Sequence, residues 1–235
     1  MFDGNFRTSF EKGMAPIGKS LQQAGVSPDV ITGFGVLMAA ACGTAIGLGN
    51  FPLAVLLLAM TGLPDALDGA VAKAAGKAGP RGAFLDSTSD RLSDGLLFAG
   101  CAWYLAGTGT PRMAMLPFAL YIAASLVSYQ RAKAEGLGFN AKGGLMERAE
   151  RFVALGFGLL FEGQGLFVPT LWLMLALTAA TAVFRFIKVW RQASGTVVEP
   201  RRSARRARRR NARPVADIRQ RAKARAEARQ RRTSR

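Results

Sequence analysis

Apolar residues in this chain come in long blocks separated by short polar breaks. A bilayer-crossing helix needs about 20 mostly apolar residues. Six stretches of that kind run near residues 30–48, 51–72, 86–107, 111–134, 147–166 and 168–190. The breaks fall at Gly49-Asn50, Lys73–Gly82, Gly107–Pro111, Glu135–Gly144 and Glu162–Gly165. Ahead of them, residues 5–24 are too polar to span. There Phe6, Phe10, Met14, Ile17 and Leu21 recur at helical spacing, as in an amphipathic helix lying on a membrane surface, with Gly13 and Pro16 as places to kink. Ser27-Pro28-Asp29 then reads as a helix start. The pattern predicts an all-α integral membrane protein: an amphipathic segment over 1–26, a six-helix domain over 27–192, and a basic, disordered tail over 193–235.

Charge sharpens this layout. The 235 residues carry a formal +17. Residues 201–235 hold 16 Lys/Arg against Asp217 and Glu227, a net +14, which leaves +3 for the first 200 residues. The basic excess therefore belongs to the tail. Within the body, Lys73, Lys77 and Arg81 fall in one break, and Arg131, Lys133, Lys142, Arg148 and Arg151 in or beside another. The intervening breaks contribute only Arg112. The positive-inside bias then puts both termini on the cytoplasmic side of a multi-pass protein of the cell membrane.

Composition removes some chemistry. There is no histidine, and Cys42 and Cys101 both lie in apolar stretches. A structural zinc site and a disulfide framework are both disfavoured, and buried, reduced thiols are expected. The N-terminus lacks the apolar core of a secretory signal.

The chemistry concentrates between Asp65 and Asp90. Asp65 and Asp68 stand three apart, and Asp86 and Asp90 four apart, so on helices each pair shares a face. Carboxylates beside a membrane core are costly and functional by default. Two converging pairs make an oxygen cage for divalent metal, magnesium or manganese above softer ions. The bland alternative is a set of solvated helix ends flanking a loop.

The full spacing, D-x2-D-G-x2-A-x-x8-G-x3-D-x3-D, resembles the signature of the CDP-alcohol phosphatidyltransferases, integral membrane enzymes of phospholipid synthesis. The resemblance implies Asp65, Asp68, Asp86 and Asp90 as ligands of two Mg2+ or Mn2+ ions, and Asp90 also as general base. It implies contacts to a CDP-linked lipid from Gly69, Lys73, Gly79 and Gly82, with Lys73 standing where the family has arginine. Lysine keeps the charge but loses the bidentate fork toward phosphate. Pro28-Asp29-Val30-Ile31-Thr32 resembles the family's P-x-x-x-T element, adding Asp29 and Thr32 near the cytidine diphosphate; read alone it is a helix cap. Asp94 matches no signature aspartate; it reads either as a residue behind the metal ligands or, in preference, as a structural partner for a nearby arginine such as Arg91.

The segments SYQRAKAEGLG (128–138) and GGLMERAER (143–151) are similar to SYxKARAE and GGxxERxER of actinobacterial phosphatidylinositol phosphate synthases. That likeness implies CDP-diacylglycerol as donor and inositol 3-phosphate as acceptor, with Arg131, Lys133, Arg148, Arg151 and Arg185 around the acceptor phosphate. It also implies a homodimer. Arginine suits phosphate, although these cations also fit ordinary anchoring of helix ends. Glu147 and Glu150, beside the arginines, are read as orienting them.

Other readings stay in play. A phosphatidylglycerophosphate synthase would use the same donor with glycerol 3-phosphate. The tail fits anionic lipid headgroups, at roughly 1 kcal/mol per basic residue, or the phosphates of nucleic acid, which would make the chain a membrane-anchored nucleic-acid binder. A cation transporter is disfavoured because all four aspartates lie near the cytoplasmic side.

Overall fold

Six helices follow one another through a computed structural model that describes residues 27–74, 79–108 and 111–195, with residues 63–74 described as backbone only. We label them α1 (Pro28–Gly47), α2 (Phe51–Ala74), α3 (Pro80–Thr108), α4 (Met115–Gly136), α5 (Arg148–Leu160) and α6 (Phe167–Ser194). Short 3-10 turns occupy Pro111–Ala114 and Glu162–Gln164, and no strand occurs among the described residues. The packing described below lies within the unit that ends at Trp190. The expected amphipathic segment over 1–26 and almost all of the basic tail fall outside the described residues.

Local chemistry sets the ends. Ser27 Oγ accepts from Val30 N at 3.3 Å, with Pro28 just inside the first turn and Asp29 beside the positive end of the helix dipole. The chain reverses at Gly49, whose φ of +73° suits glycine. Asn50 Oδ1 then accepts from Leu53 N at 3.3 Å to open α2.

Two expectations need correction. The third helix begins at Pro80, not near residue 86, so Arg81 and Gly82 lie in its first turn and not in a loop; a proline at a helix start costs no hydrogen bond. The fifth stretch is no continuous span over 147–166. Its helix ends at Leu160, and Gly165 turns the chain with φ +75°. Thirteen residues reach only about 20 Å, short of a hydrocarbon core of about 30 Å.

Among the described residues three helical segments are long and apolar enough to cross a membrane: Pro28–Gly47, Pro111–Gly136 and Phe167–Ser194. The described apolar part of α2, Phe51–Gly62, is shorter. Their outward faces carry large apolar side chains such as Phe34, Leu56, Phe118, Trp172 and Trp190. That is the reverse of a water-soluble bundle and suits lipid contact.

The core joins α1, α2, α3, α4, α5 and α6 through Ile46, Leu58, Leu97, Leu120, Leu155, Leu171 and Met174. Helices α1 and α3 cross where Gly43 meets Gly100. A Cβ added at Gly100 would collide with the Gly43 backbone, and one at Gly43 with the Leu96 carbonyl. Small residues permit this close approach, the usual means by which helices associate in lipid. Cys42 and Cys101, buried and unbridged, flank that crossing as expected.

Candidate active site

The opposite end of α3 holds the carboxylates. Asp86 and Asp90 stand one turn apart near the start of this helix, both half-buried. Asp65, Asp68, Gly69 and Lys73 fall on the backbone of α2; the side chains of Asp65, Asp68 and Lys73 lie outside what the structure describes. Among the described residues no three Asp, Glu, Cys or His side chains form a metal-sized group. The two described carboxylates nevertheless suit a hard divalent cation. They offer oxygen donors only, one helical turn apart and open to solvent on one side.

Helix α5 brings two arginines to this end of α3. Arg148 Nη1 lies 2.7 Å from Asp90 Oδ1, and Arg148 Nε lies 3.6 Å from Asp94 Oδ1. Arg151 Nη2 donates to Asp94 Oδ2 at 2.8 Å. Asp94 and Arg151 are both almost completely buried, with side chains 4% and 3% exposed, whereas Arg148 is 18% exposed. The Arg148 guanidinium also sits 4.8 Å above the Phe152 ring, a favourable cation–π placement. Arg91 Nη2 completes the row, 3.4 Å from Asp90 Oδ2.

This arrangement corrects the partner assigned to Asp94. Arg91 goes to its sequence neighbour Asp90, and Asp94 takes the two arginines of α5. The i,i+4 spacing of Asp90 and Asp94 against the i,i+3 spacing of Arg148 and Arg151 is the sequence signal for two facing rungs.

Arg185 forms a second polar knot. From α6, its Nε donates to the Gly143 carbonyl at 2.9 Å, Nη1 to the Val127 carbonyl at 3.1 Å and Nη2 to Glu147 Oε1 at 2.6 Å. Thr181, one turn earlier, accepts from both Leu145 N and Met146 N at 3.1 Å. Gly144 packs so closely on Thr181 that a Cβ there would clash, and its φ is +143°. Lys188 Nζ adds a bond to the Lys142 carbonyl at 2.7 Å. The loop between α4 and α5 is thus tied to α6 by hydroxyl, guanidinium and ammonium groups, none of which was expected from composition except Arg185. Of the two acids expected to orient arginines, Glu147 pairs with Arg185 at 2.6 Å, while Glu150 closes the start of α5 by accepting from Glu147 N at 3.1 Å.

The remaining expected residues are more dispersed. Arg131 pairs with Glu135 one turn on, at 3.1 Å and half exposed, and Lys133 is exposed near the end of α4. Asp29 meets Arg81 Nη2 at 2.8 Å, which links the starts of α1 and α3 and gives Arg81 a partner beyond the loop charge expected of it. Thr32 Oγ1 donates to the Pro28 carbonyl at 3.1 Å. The Gly79 carbonyl accepts from Ala83 N at 3.2 Å. A Cβ at Gly82 would meet nothing within 4 Å among the described residues.

A half-buried acid pair flanked by arginines thus lies at one end of an apolar helical bundle. Residues 25–198 match the family model described as CDP-alcohol phosphatidyltransferase. The chain belongs to that family.

As a CDP-alcohol phosphatidyltransferase it is a transferase and a membrane protein. It is 38% identical over 166 residues to the phosphatidylinositol phosphate synthase of Mycobacteroides abscessus, covering 67% of this chain and 72% of that one. It is 39% identical over 154 residues to the synthase of the same name from Cutibacterium acnes, covering 63% and 73%. The crystal structure of the Mycobacterium tuberculosis phosphatidylinositol phosphate synthase with CDP-DAG bound superposes with a TM-score of 0.71 at 29% identity, over 75% of this chain and 93% of that one. A second structure of that enzyme, in complex with manganese and citrate, gives the same TM-score.

Proposed function

We propose that this protein transfers the phosphatidyl group of CDP-diacylglycerol to inositol 3-phosphate, giving phosphatidylinositol phosphate and CMP. The observation that carries the reading is the meeting of Asp90 with Arg148 and, one turn on, of Asp94 with Arg151. This sets a proton acceptor beside cations suited to a phosphorylated alcohol. The relatives named for this activity, and the related structure with CDP-DAG bound, support it.

In this reading the acyl chains of the donor lie against the apolar helix faces and its headgroup reaches the acid end of α3. Asp86 and Asp90, with Asp65 and Asp68 of α2, would hold Mg2+ or Mn2+. The related complex with manganese supports the choice of a divalent cation. When bound, a two-ion cluster neutralises the pyrophosphate and acidifies the attacking hydroxyl. An Asp90 oxygen takes the proton of that hydroxyl. The hydroxyl oxygen bonds to the lipid-bearing phosphorus, and the bond from that phosphorus to CMP breaks, its electron pair leaving with CMP. Arg148 orients the acceptor through its phosphate, Arg151 supports it from behind as the buried partner of Asp94 without reaching the ligand, and Arg185 fixes the loop that carries them. Lys73, Asp29, Thr32, Gly69, Gly79 and Gly82 are assigned to the CDP side, Arg131 and Lys133 to the rim of the acceptor entrance.

The domain layout in this reading is a six-helix membrane domain over 27–192 in which α5 does not cross the bilayer fully, an amphipathic segment before it, and both termini and the active site on the cytoplasmic side. The basic tail binds anionic headgroups, and the protein works as a homodimer. Incubating the purified protein with CDP-diacylglycerol, inositol 3-phosphate and Mg2+ should yield phosphatidylinositol phosphate and equimolar CMP by mass spectrometry. Release of CMP with no inositol-containing lipid would overturn the acceptor.

A further inference from the structure

Asp94 lies outside the metal signature yet is one of the most buried charges described. Its two oxygens are divided between two guanidiniums: Oδ2 receives Arg151 Nη2 at 2.8 Å, and Oδ1 faces Arg148 Nε at 3.6 Å. The far side of the Arg148 guanidinium reaches Asp90 Oδ1 at 2.7 Å. Asp94 and Asp90 are rungs one turn apart on α3; Arg151 and Arg148 are the answering rungs on α5.

Burial separates the two arginines. Arg151 is 3% exposed. Arg148 is 18% exposed and lies over Phe152. A ligand arriving from solvent meets Arg148 before Arg151. A buried cation next to a buried carboxylate is held in place, because either one alone would face a large desolvation penalty.

We infer that Asp94 is a positioning residue for the phosphorylated acceptor: with Arg151 it forms a buried pair that fixes the rotation of α5 against α3, and it steers Arg148 so that one guanidinium addresses both Asp90 and the acceptor phosphate. Asp94 touches neither substrate. It acts through Arg148, so its loss shows in acceptor recognition and leaves donor binding intact. This inference rests on the proposed phosphatidyl transfer to a phosphorylated alcohol, but not on which alcohol is used.

The test uses full-length protein in detergent with three variants: Asp94→Asn, Asp94→Glu, and the double variant Asp94→Asn with Arg151→Gln, which removes both buried charges together. KM is measured for each substrate separately, and binding of inositol 3-phosphate is measured by calorimetry in EDTA without the lipid donor. Asp94→Asn should raise the acceptor KM and weaken the calorimetric affinity by about tenfold or more, with the CDP-diacylglycerol KM within about twofold. Asp94→Glu, keeping the charge, should recover part of the acceptor affinity. The double variant should regain thermal stability but keep the raised acceptor KM, because Arg148 still lacks its guide. If the double variant recovers stability and acceptor KM together, the pair is only a structural brace and the inference fails. It fails equally if Asp94→Asn folds and leaves the acceptor KM unchanged. Should Asp94→Asn not fold, the double variant and Asp94→Glu decide by the same readings. If the unaltered protein turns over glycerol 3-phosphate and not inositol 3-phosphate, the acceptor assignment falls; the same comparisons run with glycerol 3-phosphate then test Asp94 on their own.

Discussion

Arg185 donates to Glu147 Oε1 at 2.6 Å while its other nitrogens hold the carbonyls of Val127 and Gly143. One guanidinium therefore ties the end of α4, the following loop and the start of α5 to α6. A planar fork with several donors does this; a lysine ammonium, with one nitrogen, cannot satisfy three separated acceptors. Arg185→Lys and Arg185→Ala should both lower stability. For alanine the loss should lie toward the lower end of the about 3–5 kcal/mol typical when one member of a buried pair is removed, because Glu147 is 43% exposed. Both variants should also raise the acceptor KM through the loosened loop. Thermal melts in detergent alongside steady-state kinetics would show the two effects together.

The carboxylates make a prediction that does not depend on turnover. A divalent ion that binds only the folded protein stabilises it by about 2.7 kcal/mol at 100 times its Kd. Mn2+ should therefore raise the melting temperature of the unaltered protein. Asp86→Asn and Asp90→Asn should abolish both this shift and transferase activity. An undiminished Mn2+ shift in both variants would remove these residues from the metal site.

The α1–α3 crossing gives a prediction about the fold alone. Gly100→Val drives side-chain atoms into the Gly43 backbone, and overpacking of this kind costs about 1–3 kcal/mol. Gly107→Ala, in the same helix with open space around the added methyl, should instead be neutral or gain up to about 1 kcal/mol. Comparing the two melting temperatures checks the helix contact directly.

How much of this was readable beforehand differs between fold and site. Block length and the breaks at Gly49-Asn50 and Gly107–Pro111 placed most helices, because the cost of unpaired backbone in lipid leaves a long apolar block no choice but helix. The start of α3 was missed since Pro80, Arg81 and Gly82 look like loop residues, yet proline is at home in a helix's first turn. The fifth stretch misled because Leu155 to Phe161 is apolar right up to a turn built on Gly163 and Gly165. In the site, the spacing of Asp86 and Asp90 was visible because it is local. The partners of Asp94 were not: Arg151 is 57 positions away, and only the packing of α5 beside α3 brings them together. The same holds for Thr181, which caps a loop 35 residues distant.

Residues 201–235 of the basic tail carry +14 of the net charge and lie outside the region matched to the family. Deleting residues 200–235 should leave kcat within about twofold and reduce the preference for vesicles rich in anionic lipid, since each basic residue near such a surface contributes about 1 kcal/mol. Activity on neutral and anionic vesicles, measured at low and high salt, would check this. Loss of all activity on neutral vesicles would give the tail a catalytic part.

A single competition decides the acceptor. Purified protein in detergent with CDP-diacylglycerol and Mg2+ is offered inositol 3-phosphate and glycerol 3-phosphate, and kcat/KM is measured for each. The arrangement of Asp90, Arg148, Asp94 and Arg151 as an inositol phosphate site predicts a clear preference for inositol 3-phosphate. A higher kcat/KM for glycerol 3-phosphate, or none for either, would contradict it.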